Sequence, residues 1–429
     1  MCFPYRNADV LYGRLVTHHW VYRNGLRRPR SATVKLLERM VAAVMVVGVG
    51  ICGIGVTTGY GWGRDSLWSG LVSGVSAAVP VAGLGAGAAE KVTVARVPEG
   101  GEPTDGTTRF ARAVRGTVRE AVNDARARGW QPGPTVGIVY ASVMHDVAGW
   151  RDLYRRDDER RIRPRAFLEL MPSTPITLAA REFGFRGPTV TVGAMCASGN
   201  AALLTAQQWL AAGLVSDVVV VAADFSCVPE ILQGFRDLGV AVTDAPALEA
   251  CRPFQQGSRG FVMGEAAAAF VVSDRSQAPY GRLLGGAMSQ DGHHVVSLAP
   301  DHEQVLRCVR EAMAAAGVCG GDVAYLNAHG PGTAQCDDAE LAVCEQLLGP
   351  ATRVYSLKPL VGHCQSAASA VETAVTLLGH ERQLVPVPFA VGAAHPRLLP
   401  GPEARRPGVT VKTSLGLGGH NSAIVLAEA

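Results

Sequence analysis

Charged residues are scarce in this chain of 429 residues, since Asp, Glu, Lys and Arg together make up only 18% of it. The formal net charge of +3 is too slight to indicate a nucleic-acid partner, which requires basic residues concentrated on one face. An apolar fraction of 48% and 50 glycines exclude a disordered or fibrous chain and predict a dense α/β body. The length exceeds that of a short binding module and allows one two-lobed enzyme or two ordinary domains.

The sequence also lacks any C-x-x-C pair, so neither a zinc ribbon nor a dithiol redox motif is indicated. Ten cysteines in a chain of this length are too sparse for a disulfide scaffold. We therefore expect most of them to be small buried residues in a reducing compartment, and no metal or redox cofactor is implied. A reactive role for any one cysteine needs a separate argument.

The amino-terminal segment, residues 1–40, is rich in arginine and aromatic residues and shows no sustained period. It predicts a flexible extension or docking tail, or translation that begins upstream of the native start. Residues 41–62 follow without a charged residue, which is also the composition of a signal anchor or membrane helix. Seven glycines between Gly48 and Gly63, with β-branched neighbours, favour instead a buried strand that leads into a glycine-rich turn. We therefore expect a soluble, cytoplasmic protein.

The segment Gly48-Val49-Gly50-Ile51-Cys52-Gly53 matches the G-x-G-x-x-G pattern of dinucleotide-binding sites. Such sites also have an Asp or Glu about 20 residues further on, which holds a ribose hydroxyl group. Residues 67–74 (LWSGLVSG) contain neither. The pattern is weak by itself, and a nucleotide site is not favoured.

Strand-like and helix-like segments alternate along the rest of the chain. The predicted strands are 135–141, 189–192, 217–223, 323–326, 408–412 and 423–426. The predicted helices are 109–128, 199–212, 338–348 and 366–378. Residues 151–165 form the most highly charged run, which is typical of a solvated loop or exposed helix; a carrier-protein contact is the alternative.

Cys196 lies in a turn of small residues, 193–198, between a predicted strand and a predicted helix. A thiol at the amino terminus of a helix feels the positive end of the helix dipole and free backbone N–H groups. We expect these to lower its pKa and to stabilise an oxyanion on an attached thioester. A buried structural cysteine is the alternative, and the partners of the thiol must decide between the two.

Two histidines, His329 and His363, each lie in a glycine-containing loop that follows a predicted strand. Catalytic side chains gather in loops at strand ends. A lone histidine in a loop is more often a surface residue. Two such histidines together with Cys196 make a much stronger prediction of a catalytic site.

Four segments of this sequence resemble motifs of β-ketoacyl synthases and occur in the order found in that family. They are TVGAMCASGN, ACRPF with GFVMGEAA, NAHGPGTAQCDDAE and SLKPLVGHCQSAASAVE. The opening VMVVGVGICGIG and the closing TSLGLGGHNSAIVL also look like the family, so the resemblance covers about residues 41–429 and replaces the dinucleotide interpretation. A histidine at position 363, rather than asparagine, is similar to the Cys-His-His elongating synthases.

The resemblance implies an α/β, thiolase-like fold of five layers (αβαβα) built from two similar halves, with the active site between them. We assign residues 41–283 to the amino-terminal half, with the nucleophile, and residues 284–429 to the carboxy-terminal half, with both histidines. The implied partners are an acyl carrier protein or peptidyl carrier protein with its phosphopantetheine arm, and a second subunit in a homodimer or a heterodimer with a related chain.

The resemblance also implies that Cys196 takes an acyl group from the pantetheine arm and forms a thioester. His329 and His363 then bind a malonyl-type unit, assist its decarboxylation and stabilise the enolate that attacks the acyl group. Lys358 and Glu372 order the histidines electrostatically, although an ordinary ion pair is the alternative. The other implied site residues are the backbone N–H groups of Cys196 and Leu417 as the oxyanion hole, and Pro331, Thr333, Leu415, Gly418 and Gly419 at the substrate or pantetheine.

The sequence departs from the family's pattern around this site. The family's H-G-T-S-T is His329-Gly330-Pro331-Gly332-Thr333 here, so proline replaces a hydroxyl that usually helps to hold pantetheine. The family's closing phenylalanine pair is replaced by two leucines, the second of which is at the usual gate over the cysteine. The departures are Ser258, Arg259, Pro331, Gly332, Cys336, Leu415 and Leu417. They predict an unusual acyl chain and a role in secondary metabolism, such as polyketide or antibiotic biosynthesis.

Two other hypotheses stay open at this point. The same Cys-His-His site has the groups needed for ring closure or acyl transfer on a tethered chain without malonyl decarboxylation. A non-catalytic partner subunit of a synthase heterodimer is the third hypothesis, although such partners typically lose the nucleophile and Cys196 is present here.

Overall fold

The computed structural model describes residues 48–85, 87, 89–155, 164–275 and 278–429. The predictions for residues 1–40 and for the centre of the charged run, 156–163, lie outside this part of the chain. The elements of the first half are β1 (Val49–Thr58), β2 (Gly61–Trp62), α1 (Arg64–Ser73), β3 (Val79–Ala82), β4 (Lys91–Val94), α2 (Arg109–Ala127), β5 (Val136–Ala141), α3 (Val147–Arg155), α4 (Pro164–Leu170), α5 (Thr174–Phe183), β6 (Thr189–Val192), α6 (Ser198–Ala211), β7 (Asp217–Asp224), α7 (Pro229–Asp237), α8 (Ala247–Ala250) and β8 (Ala266–Ser273).

The second half has the same kinds of element in a shorter chain. They are β9 (Gly281–Gln290), α9 (Glu303–Ala316), β10 (Val323–Asn327), α10 (Ala334–Gln346), β11 (Arg353–Tyr355), α11 (Lys358–Val361), α12 (Ala368–Arg382), β12 (Leu384–Val385), β13 (Glu403–Ala404), β14 (Val409–Gly416) and β15 (His420–Ala427). Short 3-10 turns cover Pro103–Asp105, Gly320–Asp322 and Gln365–Ala367.

The two halves repeat one strand topology. The first half-sheet has the order β1-β8-β7-β5-β6, and the second has the order β9-β15-β14-β10-β11. In each half the first three strands pair antiparallel, and the last two pairings are parallel. Strands β1 and β9 also pair at their beginnings, which joins the half-sheets. The predicted construction from two similar halves is confirmed.

Two buried helices, α6 and α12, form the central layer between the half-sheets. Every residue from 368 to 380 of α12 is buried. The helices meet at Gly199, where an added Cβ atom would lie 2.6 Å from the backbone nitrogen of Ala370. The backbone N–H of Asn200 donates to the hydroxyl oxygen of Ser369 at 3.1 Å. This close crossing brings together the amino ends of both helices, and with them the loops that precede these helices.

The outer layers are amphipathic helices, and they complete the five-layered αβαβα arrangement. Helix α2 buries Phe110, Val114, Val118 and Val122 at a helical repeat, against apolar side chains of β5, β7 and β8. Helices α9 and α10 cover the second half-sheet in the same way. Burial of each large apolar side chain contributes about 1.5–3 kcal/mol, so these faces hold the layers together.

Strand β1 corrects one prediction about the glycines near the amino terminus. The strand continues through Gly50, Gly53 and Gly55 instead of ending in a glycine-rich turn. An added Cβ atom would lie 2.2 Å from the carbonyl oxygen of Ala121 at Gly53 and 2.0 Å from that of Thr117 at Gly55. These glycines therefore allow α2 to pack closely on the sheet.

The other predicted strands and helices are confirmed, with ends that move by up to four residues. Helix ends depend on capping contacts that the apolar pattern does not report. Among the residues that the structure describes, no helix is long and apolar enough to cross a lipid bilayer.

Candidate active site

Cys196 lies at the tight junction between β6 and α6. Met195 has a φ angle of +50°, a backbone conformation that a side-chain-bearing residue rarely adopts. The hydroxyl of Ser198 stabilises this turn, because it donates to the carbonyl of Met195 at 2.6 Å and accepts from the N–H of Ala194 at 2.8 Å. Ser414 on β14 donates its hydroxyl to the Cys196 carbonyl at 2.8 Å, which ties the turn to the second half-sheet.

The Cys196 thiol is buried, with 4% of the residue exposed. Burial raises its pKa to about 12, against the opposing effects of the Lys358 charge and a hydrogen bond from the Leu417 backbone N–H. The negative charge of Asp224 raises the pKa further. The prediction of a lowered thiol pKa at the helix terminus is therefore wrong, because loss of hydration outweighs the favourable dipole and charge. The resting group is a thiol.

The two predicted histidines lie beside this thiol. The sulfur of Cys196 and one ring nitrogen each of His329 and His363 all lie within 4.8 Å of one another. The imidazole rings are 5.3 Å apart at their centroids and nearly perpendicular, at 77°. The tertiary structure thus brings together three residues that are separated by up to 167 positions in the chain.

Both imidazoles are neutral at physiological pH. Burial lowers the pKa of His329 and of His363 well below the usual value, and the positive charge of Lys358 lowers both pKa values further. The backbone N–H of Gln365 donates to Nδ1 of His363 at 3.2 Å. Since Nδ1 accepts this hydrogen bond, we assign the proton of His363 to Nε2, where it is available as a donor.

A buried glutamate fixes the loop that carries His329. Glu340 accepts the backbone N–H of His329 at 2.6 Å and that of Gly330 at 2.8 Å. Glu340 was not identified from the sequence, although an acidic residue on the apolar face of a helix beside a motif histidine was an available signal.

Lys358 and Glu372 form a buried ion pair, with 2.6 Å between Nζ and Oε1. Lys358 also donates to the His329 carbonyl, so this pair contacts the loop that carries His329 directly. A second lysine, Lys412, lies 2.7 Å from the other oxygen of Glu372. Lys412 was not identified from the sequence, where its signal is a charged residue inside an apolar strand.

A cavity of about 350 Å³ opens above the three side chains and includes all of them in its lining. Its other lining residues include all the positions at which the sequence departs from the family pattern: Ser258, Arg259, Pro331, Gly332, Cys336, Leu415 and Leu417. Thr333 lines it as well. Gly418 and Gly419 belong to the turn between β14 and β15 and are not among the lining residues.

A larger cavity, about 530 Å³, lies under α3 and α4 and contains none of the three residues. Its arginines already pair with carboxylates: Arg109 with Glu265 at 2.8 Å and Arg165 with Glu169 at 2.9 Å. This cavity therefore lacks the nucleophile and offers few unpaired charges.

Comparison with known families identifies the family of this chain. The model described as "Beta-ketoacyl synthase, N-terminal domain" matches residues 47–278, and "Beta-ketoacyl synthase, C-terminal domain" matches residues 280–390. This chain belongs to the β-ketoacyl synthase family. The prediction of an acyltransferase that works in fatty-acid or polyketide biosynthesis is confirmed.

Two relatives illustrate the range of the family around this synthase. A Streptomyces virginiae protein, provisionally named polyketide beta-ketoacyl synthase 1, is 30% identical over 418 residues, covering 89% of this chain and 98% of the relative. The 3-oxoacyl-(acyl-carrier-protein) synthase 2 of Rhizobium meliloti is 29% identical over 421 residues, covering 88% and 97%.

A solved structure is similar over most of the synthase. It is described as "AntDE:AntF (apo): type II PKS acyl-carrier protein in complex with its ketosynthase bound to the hexaketide". The TM-score is 0.76 at 22% sequence identity, and the match covers 89% of this chain and 99% of the other. The predicted thiolase-like fold is confirmed by this likeness.

The thiol and the two imidazoles of the synthase are also a donor set that a zinc ion accepts. Two buried ammonium groups, of Lys358 and Lys412, lie close enough to lower both histidine pKa values. Although Glu372 pairs with both lysines, the electrostatic effect of the two ammonium groups at the imidazoles is positive, which disfavours a divalent cation there. We therefore attribute covalent and hydrogen-bonding chemistry to this cluster.

Proposed function

We propose that this synthase carries an acyl chain on Cys196 and extends it by decarboxylative Claisen condensation. The observation that carries the proposal is the cluster of one thiol and two neutral imidazoles at the base of an open cavity, with 4.8 Å as the largest separation between their reactive atoms. Neutral imidazoles suit this reaction because they donate hydrogen bonds to a carbonyl oxygen as it gains negative charge.

The first step is thioester exchange. The Cys196 sulfur attacks the carbonyl carbon of an acyl-pantetheine thioester, and the bond to the pantetheine sulfur breaks. The thiol proton ends on the departing pantetheine sulfur, so no co-reactant is consumed. The backbone N–H of Leu417, which points at the thiol, and that of Cys196 itself are the groups we assign to the oxyanion.

The second step joins the two units. The carbonyl oxygen of a malonyl thioester accepts hydrogen bonds from His363 Nε2–H and from His329, which stabilise the enolate formed when carbon dioxide leaves. The enolate carbon attacks the acyl group on Cys196, a carbon–carbon bond forms, and the bond to the cysteine sulfur breaks. Cys196 then takes one proton from solvent and returns to the thiol.

The positive charge of Lys358 assists both steps. It stabilises the negative charge that develops on the Cys196 sulfur, and it keeps the histidines neutral by lowering their pKa values. Its pairing with Glu372 holds the ammonium in place without hydration. We therefore include Lys358 and Glu372 as residues that act through the histidines and the thiol.

We propose an acyl carrier protein, or a peptidyl carrier protein, as the partner that delivers both thioesters. A cavity that ends on a buried thiol requires a substrate on a slender arm, and phosphopantetheine is such an arm. Pro331 and Gly332 at this cavity lack the hydroxyl groups that the family usually offers to the arm. Thr333 is the one residue of this five-residue motif that keeps a hydroxyl group, and we assign that group to pantetheine.

We also propose a dimer, formed with a second copy or with a related chain. Strand β6 ends the first half-sheet, and Thr189, Val190 and Thr191 are exposed there. An exposed edge of β-branched residues is a template for pairing with another strand. Pairing of two β6 strands would hydrogen-bond these edges and extend the sheet across the dimer.

The cytoplasm is the compartment we propose. Seven cysteines of the described part of the chain are free thiols: Cys196, Cys227, Cys251, Cys308, Cys336, Cys344 and Cys364. Free thiols persist in a reducing compartment.

The experiment combines intact-mass spectrometry with carbon dioxide release. Wild type, Cys196→Ala and the control Cys319→Ala are incubated with acyl-pantetheine thioesters and then with malonyl-loaded carrier. Condensation is supported if wild type and Cys319→Ala both carry an acyl adduct and release carbon dioxide, while Cys196→Ala does neither. An adduct without carbon dioxide supports acyl transfer or ring closure, which the altered cavity lining favours. Absence of any adduct supports a non-catalytic partner subunit and contradicts the proposal.

A further inference from the structure

Two of the few lysines in this chain share one buried glutamate. Basic residues are almost all arginine here, and the four lysines are Lys35, Lys91, Lys358 and Lys412. Lys358 and Lys412 are fully buried, and their ammonium groups lie 2.6 and 2.7 Å from the two carboxylate oxygens of Glu372. One carboxylate therefore balances one of the two positive charges, and the second lysine needs another explanation.

The ammonium groups of Lys358 and Lys412 both contact backbone carbonyl oxygens of the loop that follows β10. Lys412 lies on β14 in register with Asn327, the last residue of β10. Its Nζ atom is 3.4 Å from the carbonyl oxygen of Ala328, and it also donates to the Thr413 carbonyl. Lys358 donates to the next loop carbonyl, that of His329. Two consecutive backbone carbonyls, those of Ala328 and His329, are thus contacted by two different buried lysines.

The N–H groups of the same loop are bound by the second buried carboxylate, Glu340. It accepts from His329 and Gly330 at 2.6 and 2.8 Å, and from the hydroxyl of Thr413 at 2.5 Å. Thr413 directly follows Lys412 in β14. Burial raises the pKa of Glu340, and these three hydrogen-bond donors together with the positive charge of Lys412 oppose that rise.

With both lysines protonated and both glutamates ionised, the four buried groups Lys358, Lys412, Glu340 and Glu372 carry two positive and two negative charges, which balance. Without Lys412 the group would keep one excess negative charge beside the active site. Uncompensated buried charge is unfavourable, and negative charge there opposes formation of an enolate or a thiolate.

We propose that Lys412 is a positioning residue of the active site, which fixes the His329 loop and links its two buried carboxylates into one neutral network. This inference rests on the proposed condensation, in which His329 must donate a hydrogen bond to the malonyl carbonyl. Lys412 touches neither the thiol nor the substrate cavity and acts through His329.

The charge of Lys412 also reaches both imidazoles, because it lowers the pKa values of His329 and His363. Removal of that charge raises both pKa values, so the histidines become protonated at a higher pH. A role in packing alone would not produce this shift.

The test is the pH profile of malonyl-carrier decarboxylation from pH 4 to 8 for wild type, Lys412→Met and Lys412→Gln. The exposed Lys91 supplies the matched control, Lys91→Met. We expect both Lys412 variants to lose at least about tenfold in rate at pH 7, and the acid limb of their profiles to move to higher pH. The control keeps the wild-type rate and profile.

The proposal is overturned if both Lys412 variants fold, as judged by circular dichroism and urea unfolding, and keep the wild-type acid limb. The glutamine variant is included because it retains a polar end in the buried network if the methionine variant does not fold.

A separate measurement distinguishes this inference from the proposed function. If wild type releases no carbon dioxide, the condensation proposal fails. The role of Lys412 then has to be tested without the decarboxylation profile. NMR titration of the His329 and His363 imidazoles, assigned with His329→Gln and His363→Gln, then decides. Higher titration midpoints in Lys412→Gln support the network, and unchanged midpoints overturn it.

Discussion

Ser366 donates both its backbone N–H and its hydroxyl to one carboxylate oxygen of Asp224, at 3.3 and 2.8 Å. This contact ties the end of β7 to the 3-10 turn that follows His363. The neighbouring Gln365 donates its backbone N–H to Nδ1 of His363, so the turn also sets the histidine tautomer. Asp224 therefore connects the first half-sheet to His363 of the second half, a residue we propose to be catalytic.

Asp224→Asn is expected to lower the pKa of the Cys196 thiol, because the carboxylate charge raises it in the wild type. The measurement is the pH dependence of Cys196 alkylation by iodoacetamide. The matched control is Asp217→Asn, a buried aspartate at the opposite end of the same strand. Equal profiles for the two variants would contradict a direct electrostatic effect of Asp224.

Wild-type Cys196 is expected to react slowly at neutral pH, since its pKa of about 12 leaves almost all of it protonated. The alkylation rate should rise about tenfold per pH unit between pH 7 and 10 without a plateau. Peptide mass spectrometry after timed labelling gives the rate at this site, with Cys196→Ala as the blank. A plateau below pH 9 would show that the thiolate is more stable than burial allows.

Glu372→Gln is expected to destabilise the protein more than Lys358→Met does. The glutamine variant leaves two buried ammonium groups without a carboxylate between them, at a cost of about 3–5 kcal/mol. The methionine variant leaves Glu372 paired with Lys412 at 2.7 Å and costs about 1–3 kcal/mol. Urea unfolding measures both, with Glu311→Gln in the exposed Arg307 pair as a control near zero. The reverse order would contradict the shared-glutamate arrangement.

Leu417→Phe is expected to slow acylation of Cys196 by octanoyl-pantetheine more than by acetyl-pantetheine. The larger ring takes up space in a cavity of about 350 Å³ that already includes Cys196. An overpacking cost of about 1 kcal/mol corresponds to roughly a fivefold loss for the longer chain. Leu238→Phe, at the exposed rim of the same cavity, is the control. Equal loss for both thioesters would argue against a selective gate.

Val190→Asp is expected to convert a dimer into a monomer, because it introduces a charge on the exposed edge of β6. Size-exclusion chromatography with light scattering gives the mass. Val391→Asp, at another exposed valine, should remain dimeric. A wild type that is monomeric by itself would contradict the homodimer and make co-expression with a related chain the next measurement.

Most of the fold was predictable from local pattern. Apolar runs marked β5, β7 and β10 to within one residue, because buried strands of parallel sheets are continuously apolar. The exposed edge strand β6 was marked instead by its β-branched Thr and Val residues. The strand β1 was placed correctly but its end was not. From the sequence alone, a glycine that allows a helix to pack closely on a strand cannot be distinguished from a glycine that forms a turn.

The sequence by itself determined the family, the two-halved α/β fold and the three residues Cys196, His329 and His363, because these depend on motifs of consecutive residues. Only the tertiary structure decided the direction of the Cys196 pKa, since that direction depends on how completely the whole fold removes water from the thiol. It also revealed Lys412 beside Glu372 and Asp224 beside Ser366, pairs that lie 40 and 142 residues apart in the chain. Such contacts arise where strands and helices cross, and no local pattern of residues encodes them.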